Sequence, residues 1–146
     1  MNISIVNLTK QLVNINKFNK FSLFVCSEIK LKGFVSIVLV GKKRIKSLNN
    51  KYRKKDKSTD ILTFSYNSFE RGEVNGEIFI NLDDCKKTKQ YQDFFDKKVK
   101  IIDIIYFLTI HGLLHLKGYN DNTESKRKSM VEKGKKIYNK YRIINK

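Results

Sequence analysis

The run IIDIIYFLTIHGLLHLKGYND, from Ile101 to Asp121, decides how this chain folds. It is apolar nearly all round (Ile101, Ile102, Ile104, Ile105, Phe107, Leu108, Ile110), and a helix with so little polar surface belongs in the middle of a protein. The pattern reads as one helix over Lys98 to Lys117. Gly118 ends it, because glycine takes the left-handed conformation of the position after a helix without steric cost. Both histidines of the chain fall in this stretch, at His111 and His115. Positions i and i+4 share a helix face one turn apart, so the two imidazoles can reach one ion. Gly118 then turns the chain, and Asp121 can swing back as a third ligand. Three protein ligands with an open fourth position describe a catalytic metal site rather than a structural one. Asp121 has a rival use: Asp121-Asn-Thr-Glu124 has the acid-x-x-Glu form that opens a helix.

The flanking segments supply the rest of the fold. Ile3 to Val6 reads as a short strand, and Leu8 to Leu31 as one broken helix or two, with Leu12, Ile15, Phe18, Leu23 and Phe24 at helical spacing. Phe34 to Val40, β-branched and bounded by Gly33 and Gly41, is a strand. Lys42 to Tyr52 places Ile45, Leu48 and Tyr52 on one helical face. Ile61 to Tyr66 is a further strand. Glu77 to Leu82 is another, with Asn75-Gly76 before it as a turn dipeptide. Asp83 and Asp84 offer an N-cap for a polar helix through about Phe95. Asp121 to about Tyr141 forms a last, very basic amphipathic helix. Strands and helices in this order give an α+β domain: a small mixed β-sheet packed against the central buried helix that carries the metal motif, with further helices around it. No repeat or linker divides the chain, so residues 1–146 read as a single domain.

Composition narrows the function classes. With 146 residues, the chain is long enough to bury a core without staples. Asp103 and His111 interrupt its most apolar segment, so no membrane span is expected. The first 20 residues lack the core and cleavage site of a signal peptide, which points to the cytoplasm. Cys26 and Cys85 are too few for a disulfide framework or a four-cysteine zinc site and read as small buried hydrophobes. The net charge is +17, from 31 Lys+Arg against 14 Asp+Glu, and polyanions are the natural partners of such a surface. Alanine, proline and tryptophan are all absent while Lys, Asn and Ile abound, so codon composition also favours lysine. The aromatic residues Tyr52, Phe64, Tyr66 and Phe79 read as core ahead of RNA-stacking platforms, and Tyr119 as packing behind the metal turn, where a base could also stack.

Three motifs stand in a recognisable order. HGLLHLKGYND, His111 to Asp121, resembles the H-G-x-L-H-L-x-G-Y-D-H signature of the YbeY family, the bacterial rRNA-maturation endoribonucleases. Leu48 to Phe64, LNNKYRKKDKSTDILTF, is similar to that family's L-N-x-x-Y-R-x-K-D-x-P-T-D-V-L-S-F, with Ser58 in place of the proline. Gly76 to Ile80, GEIFI, is similar to its G-D-I-x-I strand, and Met130 falls at the family's distance beyond the metal motif. The resemblance spans most of the chain from Phe34 onward. It implies a single-strand-specific endoribonuclease that uses one Zn2+ per chain and acts in 16S rRNA 3′-end maturation and ribosome quality control. Its partners would be single-stranded RNA or rRNA and the ribosome or its proteins. His111 and His115 match the first two zinc ligands, and Arg53 matches the arginine assigned to activity beside the metal. The family's third histidine falls on Asp121, and the aspartate before it on Asn120.

The residues themselves fit that chemistry. Zinc peptidases of the H-E-x-x-H type use the glutamate as general base, and here its position is Gly112, so a peptidase lacks its proton acceptor. Phosphodiester cleavage asks for activated water and a cation that stabilises charge on five-coordinate phosphorus. The rigid, bidentate fork of Arg53 suits the second task. Lys54, Lys55 and Lys57 read as RNA-phosphate contacts or as a solvated loop. An anionic third ligand at Asp121 would leave the ion a weaker Lewis acid than a third histidine would.

Overall fold

The computed structural model describes residues 1–66 and 72–146. Strands β1 (Asn2–Asn7), β2 (Gly33–Val40), β3 (Ile61–Ser65) and β4 (Val74–Asn81) form one four-stranded sheet in the order β1-β2-β4-β3. β2 runs parallel to both β1 and β4, and β3 is antiparallel to β4, so the sheet is mixed. Helices α1 (Ile15–Glu28), α2 (Lys42–Arg53), α3 (Leu82–Cys85), α4 (Thr88–Tyr91), α5 (Ile101–Lys117) and α6 (Glu124–Ile144) complete an α+β fold.

Alternation along the strands separates two faces. Val35, Ile37 and Leu39 of β2 with Ile78 and Ile80 of β4 point inward, fully buried against α1, α5 and α6. Register places Ile37 beside both Ile5 and Ile78, so one apolar row crosses three strands. α5 lies in the centre, with Ile104, Ile105, Ile110, Leu113 and Leu114 all but sealed from water. Two close approaches let it sit there. A Cβ on Gly112 would stand 2.9 Å from Cδ1 of Ile78, and one on Gly76 would stand 2.5 Å from Cδ2 of Leu116. α1 packs on α5 through Phe21 and Tyr106, stacked with centroids 3.9 Å apart. On the outer face α2 covers a smaller cluster of Val38, Val40, Ile45 and Leu62.

One buried charge ties α5 to α6. Asp103 accepts from the Tyr138 hydroxyl, from Lys97 Nζ at 2.9 Å and from its own cap's amide, Lys100 N, at 2.8 Å. Burial alone would raise its pKa, but these donors outweigh it and hold the carboxyl below the usual range. Cys26 and Cys85 are buried free thiols, pushed up to about 12 by desolvation, as expected of small apolar fillers.

Three elements differ from the sequence expectation. Helix α1 starts only at Ile15, capped by Asn14, and Leu12 is 93% exposed. Residues before it are held instead by side-chain turns, with the Asn7 carboxamide bonding Thr9 and Gln11. Asn75-Gly76 lies inside β4 and makes no turn, because Gly76 is the bare spot on which Leu116 rests. The polar helix expected through Phe95 is broken into α3, α4 and a 3-10 turn, Gln92–Phe94, and its cap is Asn81 rather than Asp83 or Asp84. No helix among the described residues is long and apolar enough to cross a membrane.

Candidate metal centre and cleft

The C-terminal end of α5 builds the site. Gly118, at φ 114°, closes the helix: its amide bonds the His115 carbonyl at 3.0 Å and the Tyr119 amide bonds the Leu114 carbonyl at 3.1 Å. This paired closure is the Schellman arrangement, and it throws the next residues back along the helix. Asp121 Oδ2 thereby reaches 3.2 Å from Nε2 of His111 and 3.5 Å from Nε2 of His115, and the two Nε2 atoms are 3.2 Å apart. Ligands about 2.0–2.1 Å from a tetrahedral zinc lie about 3.3–3.4 Å from one another, so the triangle has the dimensions of such a site. Of the described residues these three form the group of donors that could hold a metal ion.

The surroundings prepare the donors. Nδ1 of His115 lies 3.2 Å from the Tyr119 carbonyl. A proton on that nitrogen leaves the Nε2 lone pair facing its neighbours, the usual second contact of a metal-binding histidine. Burial, then the neighbouring His115, lower the pKa of His111 against the opposing pull of Asp121, which favours the neutral imidazole a metal needs. Partial burial would raise the pKa of Asp121, but His115 and the hydrogen bond with His111 outweigh it and keep the carboxylate charged. The cap of α6 is Thr123, whose hydroxyl accepts from Lys126 N at 3.1 Å. Asp121 is therefore not the capping residue, and its carboxylate is left to the histidines.

The triad opens on a cleft of about 530 Å³ between the β3 edge and the start of α6. Arg53, at the end of α2, lines the β3 wall. Its Nη2 donates to the Thr63 carbonyl at 2.8 Å and its guanidinium sits 5.4 Å from the centre of the Phe64 ring. Lys54, Lys55 and Lys57 stand exposed on the loop after α2 and are not part of the cleft lining. That loop is fastened from below: Asn49 Nδ2 donates to the Lys57 carbonyl, and buried Asn81 donates to Ser58 and Thr59.

Sequence reading does not single out two charged lining residues. Asp60 lies in the cleft wall, with its carboxylate accepting from the Tyr91 hydroxyl at 2.9 Å. Arg127 is one of many basic residues of α6. Its spacing of four from Val131, another lining residue, is the signal that would have turned it toward the cleft. Gly112 faces Ile78 and Ile61 of the sheet instead of the cleft, so a glutamate there has no room. Tyr119 is half exposed beside the turn, with Lys133 Nζ 5.4 Å from its ring centre.

Such a site, three convergent ligand atoms open to a cation-lined cleft on an α+β fold, has the makings of a metallohydrolase. Comparison with known proteins makes the class specific. The family model described as Endoribonuclease YbeY matches residues 4–142. A protein of that name from Carboxydothermus hydrogenoformans is 40% identical over 106 residues, covering 72% of this chain and 70% of the relative. Another, from Phytoplasma australiense, is 33% identical over 151 residues and covers 100% of this chain and 99% of its own. The solution structure of TM1509 from Thermotoga maritima shares the fold at a TM-score of 0.61 and 23% identity, covering 96% of this chain and 91% of that one. The chain belongs to the YbeY endoribonuclease family, hydrolases that act on RNA.

Proposed function

We propose that residues 1–146 work as one metallohydrolase domain, a zinc-dependent endoribonuclease cutting single-stranded RNA. The observation that carries this reading is the convergence of His111, His115 and Asp121 on one point in a cleft that Arg53 also lines, in a chain of an endoribonuclease family. His111, His115 and Asp121 would hold the ion. When bound there, zinc supplies a Lewis acid and lowers the pKa of a water in its open position.

The chain's own residues do the rest. Arg53 is held by the Thr63 carbonyl and the Phe64 ring, so its remaining N–H groups are aimed before substrate arrives. A preset guanidinium stabilises the charge that grows on phosphorus in the transition state more than the ground-state charge, which is what accelerates the step. Lys54, Lys55 and Lys57 hold flanking phosphates outside the cleft, adding affinity that falls with salt. The resemblance of the motifs further supports action on rRNA in the cytoplasm, at the 16S 3′ end and in ribosome quality control, with the ribosome or its proteins as partners.

The test is metal content by elemental mass spectrometry together with cleavage of a single-stranded RNA. Near-stoichiometric zinc and chelator-sensitive cleavage are expected in the wild type, both lost in His111→Ala and in His115→Ala. Asp121→Ala loses zinc as well if the carboxylate is the third ligand. Cleavage that persists in His111→Ala under chelator overturns the proposal. A wild type that stays empty when zinc is supplied, yet binds RNA, makes the protein a non-catalytic RNA binder.

A further inference from the structure

The outer face of the sheet carries an arrangement that the cleavage site does not use. Tyr52, on the last turn of α2, is 58% exposed. Its ring packs edge-on against Phe64 at 5.5 Å, and Phe64 packs edge-on against Phe79 at 5.9 Å. Phe64 and Phe79 are half-buried against the small outer cluster, so with Tyr52 they make a stepped surface from that cluster out to water. Cations flank it. Lys51 Nζ lies 5.2 Å from the Tyr52 ring centre, and Arg53 covers Phe64. Helix α2 has six basic residues among its twelve and no acidic one.

Exposed rings interleaved with cations are the two ingredients of a single-strand site: bases stack on the rings and phosphates follow the charges. The centre of a protein-docking surface is depleted of charge, whereas cations stand directly against these rings. One carboxylate shares this face: Glu77, across from Phe64 in the β3–β4 register, accepts from the Tyr66 hydroxyl at 2.7 Å. Arg53 belongs to both regions, because the same side chain that covers Phe64 also lines the metal cleft. The platform and the cleft therefore meet around the β3 edge.

We propose that Tyr52, with Phe64 behind it and Lys51 and Arg53 beside it, is a stacking platform for single-stranded RNA outside the cleavage point. A base lies on the open face of Tyr52, its phosphates run past Lys51 and Arg53, and the strand turns over the β3 edge into the cleft. This rests on the RNA-cleavage reading above and gives the substrate strand its path.

The experiment is fluorescence anisotropy on the full chain in chelator, with labelled RNA of mixed sequence, comparing a trinucleotide with a strand of about 12 nucleotides. Tyr52→Ala is expected to weaken the longer strand by about fivefold or more, the trinucleotide by less than about twofold, and Tyr52→Phe to restore the longer strand. Lys51→Gln is expected to reduce the slope of log affinity against log salt by about 0.7 on the longer strand. Equal effects of Tyr52→Ala on both lengths, or none on either, overturn the platform. So does a wild type that binds both lengths alike, and cleavage in zinc then reports separately whether the nuclease reading stands. A wild type that neither binds nor cleaves RNA overturns both.

Discussion

On its inner face the sheet meets α5 through Ile37, Ile78 and Ile80, all fully buried, whereas on its outer face, beyond the small cluster under α2, Phe34, Tyr52 and Tyr66 stay half exposed. The inner contact leaves no slack: the glycines at 76 and 112 exist so that helix and strand can touch. That rigidity is what holds two imidazoles and a carboxylate within a few tenths of an ångström of a metal's geometry. The outer face trades packing for access and presents rings and cations to whatever approaches. One sheet thus separates the part that must not move from the part that must stay available.

The contrast can be broken from the inside first. Gly112→Glu recreates the H-E-x-x-H pattern, and its carboxylate would point into Ile78 and Ile61. Urea denaturation should show a loss of more than about 3 kcal/mol, against about 1–3 kcal/mol for Gly112→Ala. A Gly112→Glu chain of wild-type stability would mean that the inner face yields. Next in size is Asp103→Asn, expected to cost about 1–3 kcal/mol by weakening the buried bonds to Lys97 and Tyr138. The same carboxyl sets a pH dependence. Its folded pKa lies below the unfolded one, so its stabilisation is complete above the unfolded value and lost as pH falls through the folded one. Acid titrations of stability should therefore be flatter in Asp103→Asn than in the wild type.

Smaller effects sharpen the comparison. Asp121→His exchanges an anionic ligand for a neutral one, and the pH–rate profile of RNA cleavage should shift to lower pH, raising activity near neutrality about several-fold. An unmoved profile would remove Asp121 from the metal. Smallest of all, Tyr52→Ala should change the unfolding free energy by no more than about 0.5 kcal/mol, since most of that ring already faces water. A larger loss would place Tyr52 in the core after all.

The inner face was legible because it is written in periodicity. The apolar run ending at Gly118, the β-branched Phe34–Val40 stretch and the two histidines a turn apart each fix an element by local pattern, and all three appear where expected. The failures are of another kind. Leu12 has helical spacing to Ile15, but Asn14 caps the helix behind it and leaves Leu12 in water. Asn75-Gly76 carries a turn signature that tertiary contact overrides, since the glycine is needed for Leu116. Of the four aromatics read as core ahead of RNA platforms, Phe64 and Phe79 do pack on the small outer cluster, but Tyr52 and Tyr66 stand half exposed, because nothing in the sequence tells which side of a sheet is left uncovered. Asp60 and Arg127 reach the cleft from elements far apart in the chain, so their meeting is a property of the sheet order, not of any local spacing.

The Schellman turn at Gly118 has a consequence for assembly. The three donors come from the last turns of α5 and the bend that follows, while Arg53 reaches the same cleft from the opposite half of the chain, with β3 and β4 paired. Parallel pairing of β2 with both its neighbours demands long crossovers and is slow to form. The ligand set, from His111 to Asp121, is therefore far more local in the chain than the wall that faces it, and an unfolded chain carries its donors too. Ion uptake by that state competes with uptake by the native one, so saturating zinc would stabilise the fold by less than its native affinity alone would give.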